Sequence, residues 1–327
     1  MSKLAVIALG GNALLRDNQD GTIDQQEQNT TDTLENIVFL LKQGYNLVIT
    51  HGNGPQVGNI VMRNDAGEHM YNIPQMPLDV CVADSQGGIG YMIERALKNV
   101  LTRHGIKRNV LTLMTMVEVD PNDEAFKNPS KRIGKAISLE EANKMTEVKG
   151  WVYKEEKKQT AGYRRVVPSP MPKHIMNWEV IARNAKEGTI IIAVGGGGVP
   201  VYIDEEQNVR PSEAVIDKDL ASSMLANQIG ANEFYILTDV PFVYKNFGQP
   251  NQEVLEFLNL ADTRELLEAG AFGEGSMAPK IKAAIQFIER GGDKSIITES
   301  KKLEDKAYGT KITLEYDEKD LHKYDKA

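Results

Sequence analysis

Leu4-Ala5-Val6-Ile7-Ala8-Leu9-Gly10-Gly11 and Asn46-Leu47-Val48-Ile49-Thr50-His51-Gly52 are two short, largely apolar runs that each end in glycine. Runs of this length without polar alternation read as strands buried on both faces. Between them, Thr30 to Gln43 places Leu34, Ile37, Val38 and Leu41 on one side of a 3.6-residue period, the mark of a helix packed on a sheet. Strand, helix, strand is the unit that joins parallel neighbours.

The alternation continues outward from this unit. It predicts a long helix from about Asp79 to Arg103, a strand near Val110 to Met116, a strand at Thr189 to Val194, a helix after Asp217 and a strand at Glu233 to Thr238. The expected fold class is α/β, with a mostly parallel sheet covered on both faces. Ala193-Val194-Gly195-Gly196 repeats the strand-plus-glycine pattern of Ala8-Leu9-Gly10-Gly11 and hints at two related lobes. The stretch from Asp120 to Pro172 breaks the pattern, being rich in Lys, Glu, Pro and Asn. It holds one clear helix start, Ser138-Leu139-Glu140-Glu141, where the serine oxygen can cap and the glutamate can reach back. It reads as an excursion from the sheet, a small protruding piece. The tail from Glu299 to Ala327 is charged, with a short strand candidate at Lys311 to Glu315.

Composition narrows the function. The chain has 327 residues, 38 Lys plus Arg against 46 Asp plus Glu, and a formal charge of -8. A chain of this length buries roughly three quarters of its unfolded surface and needs no covalent staple. The single Cys81 excludes an internal disulfide and a thiolate metal cluster, and points to a cytosolic compartment. The opening run Leu4 to Leu9 is too short for a secretory leader. Nowhere do about 18 apolar residues follow one another, so no membrane span is expected. The acidic balance disfavours a nucleic-acid partner, and any anion site must be a local exception.

Three glycine clusters follow strands: Gly10-Gly11-Asn12, His51-Gly52-Asn53-Gly54 and Gly195-Gly196-Gly197-Gly198. Glycine lets backbone N–H groups approach an anion, and a following helix start adds a favourable dipole. At the carboxyl ends of strands in one sheet, three such turns converge where open α/β folds bind ligands. The familiar phosphate binders do not fit. There is no Gly-x-x-x-x-Gly-Lys-Ser/Thr, and Pro200 stands where a dinucleotide fingerprint needs its third glycine.

Taken together with Thr50 to Gly58, Gly162-Tyr163-Arg164-Arg165-Val166-Val167, Ala214-Val215-Ile216-Asp217-Lys218-Asp219 and Gly275-Ser276-Met277 with Pro279-Lys280, these motifs resemble carbamate kinases, a branch of the amino-acid kinase superfamily. The resemblance covers nearly the whole chain. It implies a single amino-acid kinase domain over 1–327, a three-layer αβα sandwich in which 1–195 binds the acceptor and 196–327 the nucleotide, with 120–172 as the protruding subdomain. It also implies reversible transfer between ATP and carbamate, giving carbamoyl phosphate and ADP, with Mg²⁺, in a cytoplasmic homodimer, running towards ATP in arginine catabolism by the deiminase pathway. Gly10, Gly11, Asn12, Gly52, Asn53 and Gly54 would surround the carbamate and the moving phosphoryl group. Lys131, Lys218 and Lys280 would be catalytic, with Asp219 holding the last two. Thr238, Asp239, Tyr244 and Met277 would lie against the nucleotide, and no protein metal ligand is implied.

The chain departs from the pattern at Ala278, at Arg132 after Lys131, and in the long basic stretch Lys154 to Thr160. The chemistry suits these residue types. A carbamate oxygen is already anionic, so the site needs cations and amide donors more than a proton-abstracting base. Each residue also has a plainer reading: the lysines as solvated charges, Asp219 as a helix cap, and His51 as a ring that orients its glycine loop.

Overall fold

All six residues of β1 (Leu4–Leu9) are buried, and their side chains alternate between two hydrophobic layers. Leu4, Val6 and Ala8 enter one layer, while Ala5, Ile7 and Leu9 enter the other. A strand covered on both sides therefore demands an unbroken apolar run. The computed structural model describes residues 2–16, 19–156, 162–273, 276–305 and 308–316, apart from the side chain of Asn12.

After a 3-10 turn at Gly11–Ala13 the chain forms α1 (Ile23–Lys42), β2 (Asn46–His51), α2 (Gly54–Tyr71), α3 (Leu78–Arg103), β3 (Val110–Thr112) and β4 (Met116–Val119). The excursion follows, with β5 (Lys131–Ile137), α4 (Leu139–Lys149), β6 (Val152–Glu156) and β7 (Gly162–Val167), before β8 (Pro172–Ile175) pairs with β4. Then come α5 (Trp178–Lys186), β9 (Ile190–Ile192), β10 (Val199–Ile203), β11 (Val209–Pro211), α6 (Lys218–Gln228) and β12 (Glu233–Thr238). The last elements are β13 (Val243–Lys245), β14 (Glu253–Leu255), β15 (Phe257–Asn259), α7 (Leu260–Glu268), α8 (Met277–Glu289), β16 (Lys294–Glu299) and β17 (Thr310–Thr313).

The main sheet has eight strands in the order β15-β17-β16-β12-β1-β2-β9-β3. The six from β16 to β3 are parallel, while β17 runs antiparallel to β16. Helices α1 and α3 cover one face and α5, α6 and α8 the other, which makes the three-layer αβα sandwich. β1, β2, β9 and β3, all within residues 1–195, fill one side of the sheet and β12 and β15–β17 fill the other, so a single sheet joins both lobes. No helix among the described residues is long and apolar enough to cross a membrane.

The structure differs from the sequence reading in three places. Helix α1 starts at Ile23 rather than Thr30, because Thr22 and Gln25 close a capping box ahead of a polar first turn that carries no apolar period. Helix α2 buries only Val57 and Gly58, so its sequence shows little periodicity, and Pro55 in its first turn is the main sign of it. The run from Val110 to Met116 divides: buried Gln86 brackets the backbone of Thr115, donating to its carbonyl at 3.1 Å and accepting from its N–H at 2.9 Å. The chain there leaves the main sheet and β4 joins a second one, ordered β11-β10-β4-β8.

The protruding piece is a small antiparallel sheet, β5-β7-β6, with α4 alongside. Ser138 and Glu141 form the expected capping box of α4, and Gly150 ends it with φ +69°. The piece sits on α2 through one close approach. A Cβ on Gly58 would lie 2.0 Å from the backbone of Gly134, so only glycine lets β5 come this near. Around that contact Val57, Leu78, Cys81, Val82, Ile133, Val167, Val199 and Val215 make a separate apolar cluster.

Candidate active site

At the carboxyl ends of the parallel strands, the turns after β1, β2 and β9 meet the first turns of α6 and α8 around a cavity of about 350 Å³. Gly10 lies against the carbonyl of Leu237, too close for any Cβ, whereas a side chain at Gly11 would meet no atom within 4 Å. The first glycine is thus a packing requirement and the second keeps the cavity wall low. The run Gly195 to Gly198 is wholly buried, and a Cβ on Gly196 would strike the side chain of Asn53. Asn53 itself donates to Ser85 Oγ at 2.8 Å, which fixes the turn after β2 to α3.

Lys218 is the first residue of α6 and Lys280 lies in the first turn of α8. Asp219 stands between them, with Oδ1 2.7 Å from Lys218 Nζ and Oδ2 2.9 Å from Lys280 Nζ. Burial opposes the charge on Asp219, but the two ammonium groups outweigh it and hold the carboxyl well below the usual range. Lys280 is held above its ordinary value, since the attraction of Asp219 exceeds the cost of burial. Burial draws Lys218 downward. Its Nζ pairs with Asp219 Oδ1 at 2.7 Å, and no second acceptor meets it among the described residues.

Lys131 reaches the same cavity from β5, and its Nζ donates to Asp217 Oδ2 at 2.7 Å. Asp217 caps α6, accepting from the N–H groups of Asp219 and Leu220. Against burial, the ammonium of Lys131 holds its carboxyl below the ordinary carboxylate value. The cavity lining holds three lysines and three aspartates, Asp217, Asp219 and Asp239, so the wall is balanced in an acidic chain, with Asp217 and Asp219 paired to the lysines. A further link, Thr50 Oγ1 to Ser222 Oγ at 2.6 Å, ties β2 to α6. His51 is fully buried. Its Nδ1–H donates to the carbonyl of Gly52 at 2.9 Å, and burial pushes the imidazole down to about 4, so it is neutral and orients the loop.

The structure brings Gly10, Gly11, Gly52, Asn53, Gly54, Lys131, Lys218, Asp219, Lys280, Thr238 and Asp239 to one cavity wall. A second space of about 310 Å³ continues past Gly10, Thr238 and Asp239 towards Glu299 and Lys301. The side chain of Asn12, Gly275 and the segment 157–160 lie outside the described residues. Tyr244 and Met277 do not line the cavity. Tyr244 stacks near Phe247, and Met277 packs on the core. Asp217, Gln56 and Ser276 line it without having been singled out from the sequence. The signal for Asp217 was present, since a carboxylate directly before Lys218 and Asp219 both caps and pairs. A larger cavity, about 1050 Å³, lies by Lys3, Tyr45 and Tyr235, but its buried carboxylate, Glu233, is already satisfied by those three side chains.

The model of the amino acid kinase family matches residues 3–299. A carbamate kinase of Pyrococcus furiosus is 45% identical over 302 residues, covering 92% of this chain and 95% of its own. The structure of carbamate kinase from Giardia lamblia bound to citric acid superposes with a TM-score of 0.89 at 39% identity, over 95% of this chain and 98% of that one. The same enzyme bound to AMP-PNP gives 0.87 at 38% identity, over the same shares. The chain belongs to the amino-acid kinase family and, within it, to the carbamate kinases.

Proposed function

We propose that this cleft moves a phosphoryl group reversibly between ATP and carbamate, giving carbamoyl phosphate and ADP. The observation that carries the reading is the bridging of Lys218 and Lys280 by Asp219 on a glycine-walled cavity that Lys131 also lines. A carbamate oxygen attacks the terminal phosphorus, the bond to the ADP oxygen breaks, and that oxygen leaves with the electron pair. No proton need be removed from the acceptor. What the step requires is neutralisation of charge on three phosphoryl oxygens by preorganised cations and amides.

In this reading Lys218 and Lys280 meet the transferring and leaving oxygens, Asp219 sets their separation, and Lys131 closes the acceptor side. The Lys218 ammonium supports this, because its 2.7 Å pair with Asp219 leaves N–H donors that a phosphoryl oxygen would meet. Gly10, Gly11, Asn12, Gly52, Asn53 and Gly54 would surround carbamate and phosphoryl group, with residues 1–195 serving the acceptor and 196–327 the nucleotide. Thr238 and Asp239 would face the nucleotide, with Tyr244 and Met277 behind that wall. The described residues hold no grouping of three acidic or histidine ligands, and Asp217 and Asp219 are engaged by lysines. Mg²⁺ would therefore be carried chiefly by the nucleotide phosphates and water, adding charge neutralisation. The family resemblance supports a cytoplasmic homodimer. Carbamoyl phosphate is a mixed anhydride of high transfer potential, which favours the ATP-forming direction expected of arginine catabolism by the deiminase pathway.

A coupled assay for ATP formed from ADP and carbamoyl phosphate tests this, with N-acetylglutamyl phosphate as the rival donor. Rapid ATP formation from carbamoyl phosphate alone is expected. Preference for the larger donor, or no transfer from either, would overturn the reading.

A further inference from the structure

Asp217 does two things at once. Its Oδ1 accepts from the N–H groups of Asp219 at 2.9 Å and Leu220 at 3.3 Å, and its Oδ2 accepts from Lys131 Nζ at 2.7 Å. One carboxylate thus touches the start of α6, which carries Lys218 and Asp219, and the strand of the protruding piece that carries Lys131. Lys131 has no alternative anchor in Asp219, because both oxygens of that carboxylate already face Lys218 and Lys280. It is also the least enclosed of the three lysines, with 30% of its side chain exposed against 12% and 16%. A flexible ammonium at that exposure, released from Asp217, would turn towards water.

We propose that Asp217 is a positioning residue for phosphoryl transfer: it docks Lys131 at the amino end of α6 and yields that ammonium to the phosphoryl oxygens as they arrive. The contact is a single-point ion pair, which a more highly charged phosphoryl group can displace without breaking the helix cap made by the other oxygen. The same contact ties the protruding piece to the body across the cavity. Among the described residues, its other ion pairs to the body, from Lys149 to Asp65 and Glu68, lie on α2 away from the cavity wall. The proposal rests on the reading of Lys131 as a ligand of the transferring group.

The test is a double-mutant cycle on ATP formation from ADP and carbamoyl phosphate. Asp217→Asn keeps an oxygen able to cap α6 but removes the charge that holds Lys131. Its kcat should fall by about tenfold or more, less than the roughly hundredfold loss expected for Lys131→Ala, with KM for ADP changed by no more than about twofold. The double variant should be no slower than Lys131→Ala alone, since both changes remove one interaction. Unchanged or raised kcat in Asp217→Asn beside a crippled Lys131→Ala would overturn the proposal and leave the site reading intact. Losses that multiply in the double variant would do the same. Near-normal Lys131→Ala would overturn both. If the asparagine variant melts early, Asp217→Ser, which also caps, carries the same expectations. Unfolding of both would make the cap the whole purpose of the carboxylate and overturn the proposal.

Discussion

The main sheet and the protruding piece solve different problems with the same side chain. In the body, Lys218 and Lys280 emerge from two helices packed against the sheet, and one carboxylate buried to 4% exposure clamps both. In the protruding piece, Lys131 comes from a half-exposed antiparallel strand and crosses to the body through one ion pair. In the body two lysines share one buried carboxylate, while the smaller sheet brings a third lysine through a more exposed pair.

This contrast can be broken most forcefully at Asp219. Asp219→Ala leaves two neighbouring ammonium groups buried together, and should cost about 3–5 kcal/mol of stability as well as nearly all turnover. Denaturant unfolding beside the ATP-forming assay checks both. His51 sharpens the body's side. Its folded pKa of about 4 lies below the unfolded value near 6.5, so between these values the unfolded chain binds a proton that the folded one refuses. The stability due to this neutral ring is complete above pH 6.5 and should decline by about 3 kcal/mol as pH falls to 4. In His51→Gln that part of the decline should vanish from a series of denaturant melts.

Gly58→Ala tests how the two regions are joined. The added methyl must push β5 away from α2, at about 1–3 kcal/mol. Turnover should fall with it, because Lys131 lies on the displaced strand, while KM for ADP stays near normal. Lys149→Ala should have the smallest effect. Its pairs with Asp65 and Glu68 are partly solvated and far from the cavity, so turnover and melting temperature should both remain close to those of the parent chain.

Much of the body was legible because its physics is local. Apolar runs such as Leu4 to Leu9 and glycine-ended strands carry their burial in the sequence itself. Helix α2 was missed because most of its surface faces water or the protruding piece, which erases the apolar period. The break at Thr115 depends on Gln86, 29 residues earlier, and no local pattern announces it. In the site, the resemblance supplied the lysines and Asp219, and the fold brought them together. Asp217 was read only as the residue before a helix, since its partner Lys131 lies 86 residues away. The glycine run at Gly195 to Gly198 has the sequence pattern of an anion-binding turn. The structure shows each of its residues also fitted against a different neighbour, His51, Asn53, Ile216 or Val117.

The central claim is that ammonium groups from the body and the protruding piece, with no base, carry the transfer. It is tested most directly by kcat for ATP formation from saturating ADP and carbamoyl phosphate in Lys131→Ala, measured together with its melting temperature. A fall of about a hundredfold with an unchanged melting temperature is expected. Turnover within about threefold of the parent chain, far less than one preorganised cation contributes, would contradict the account.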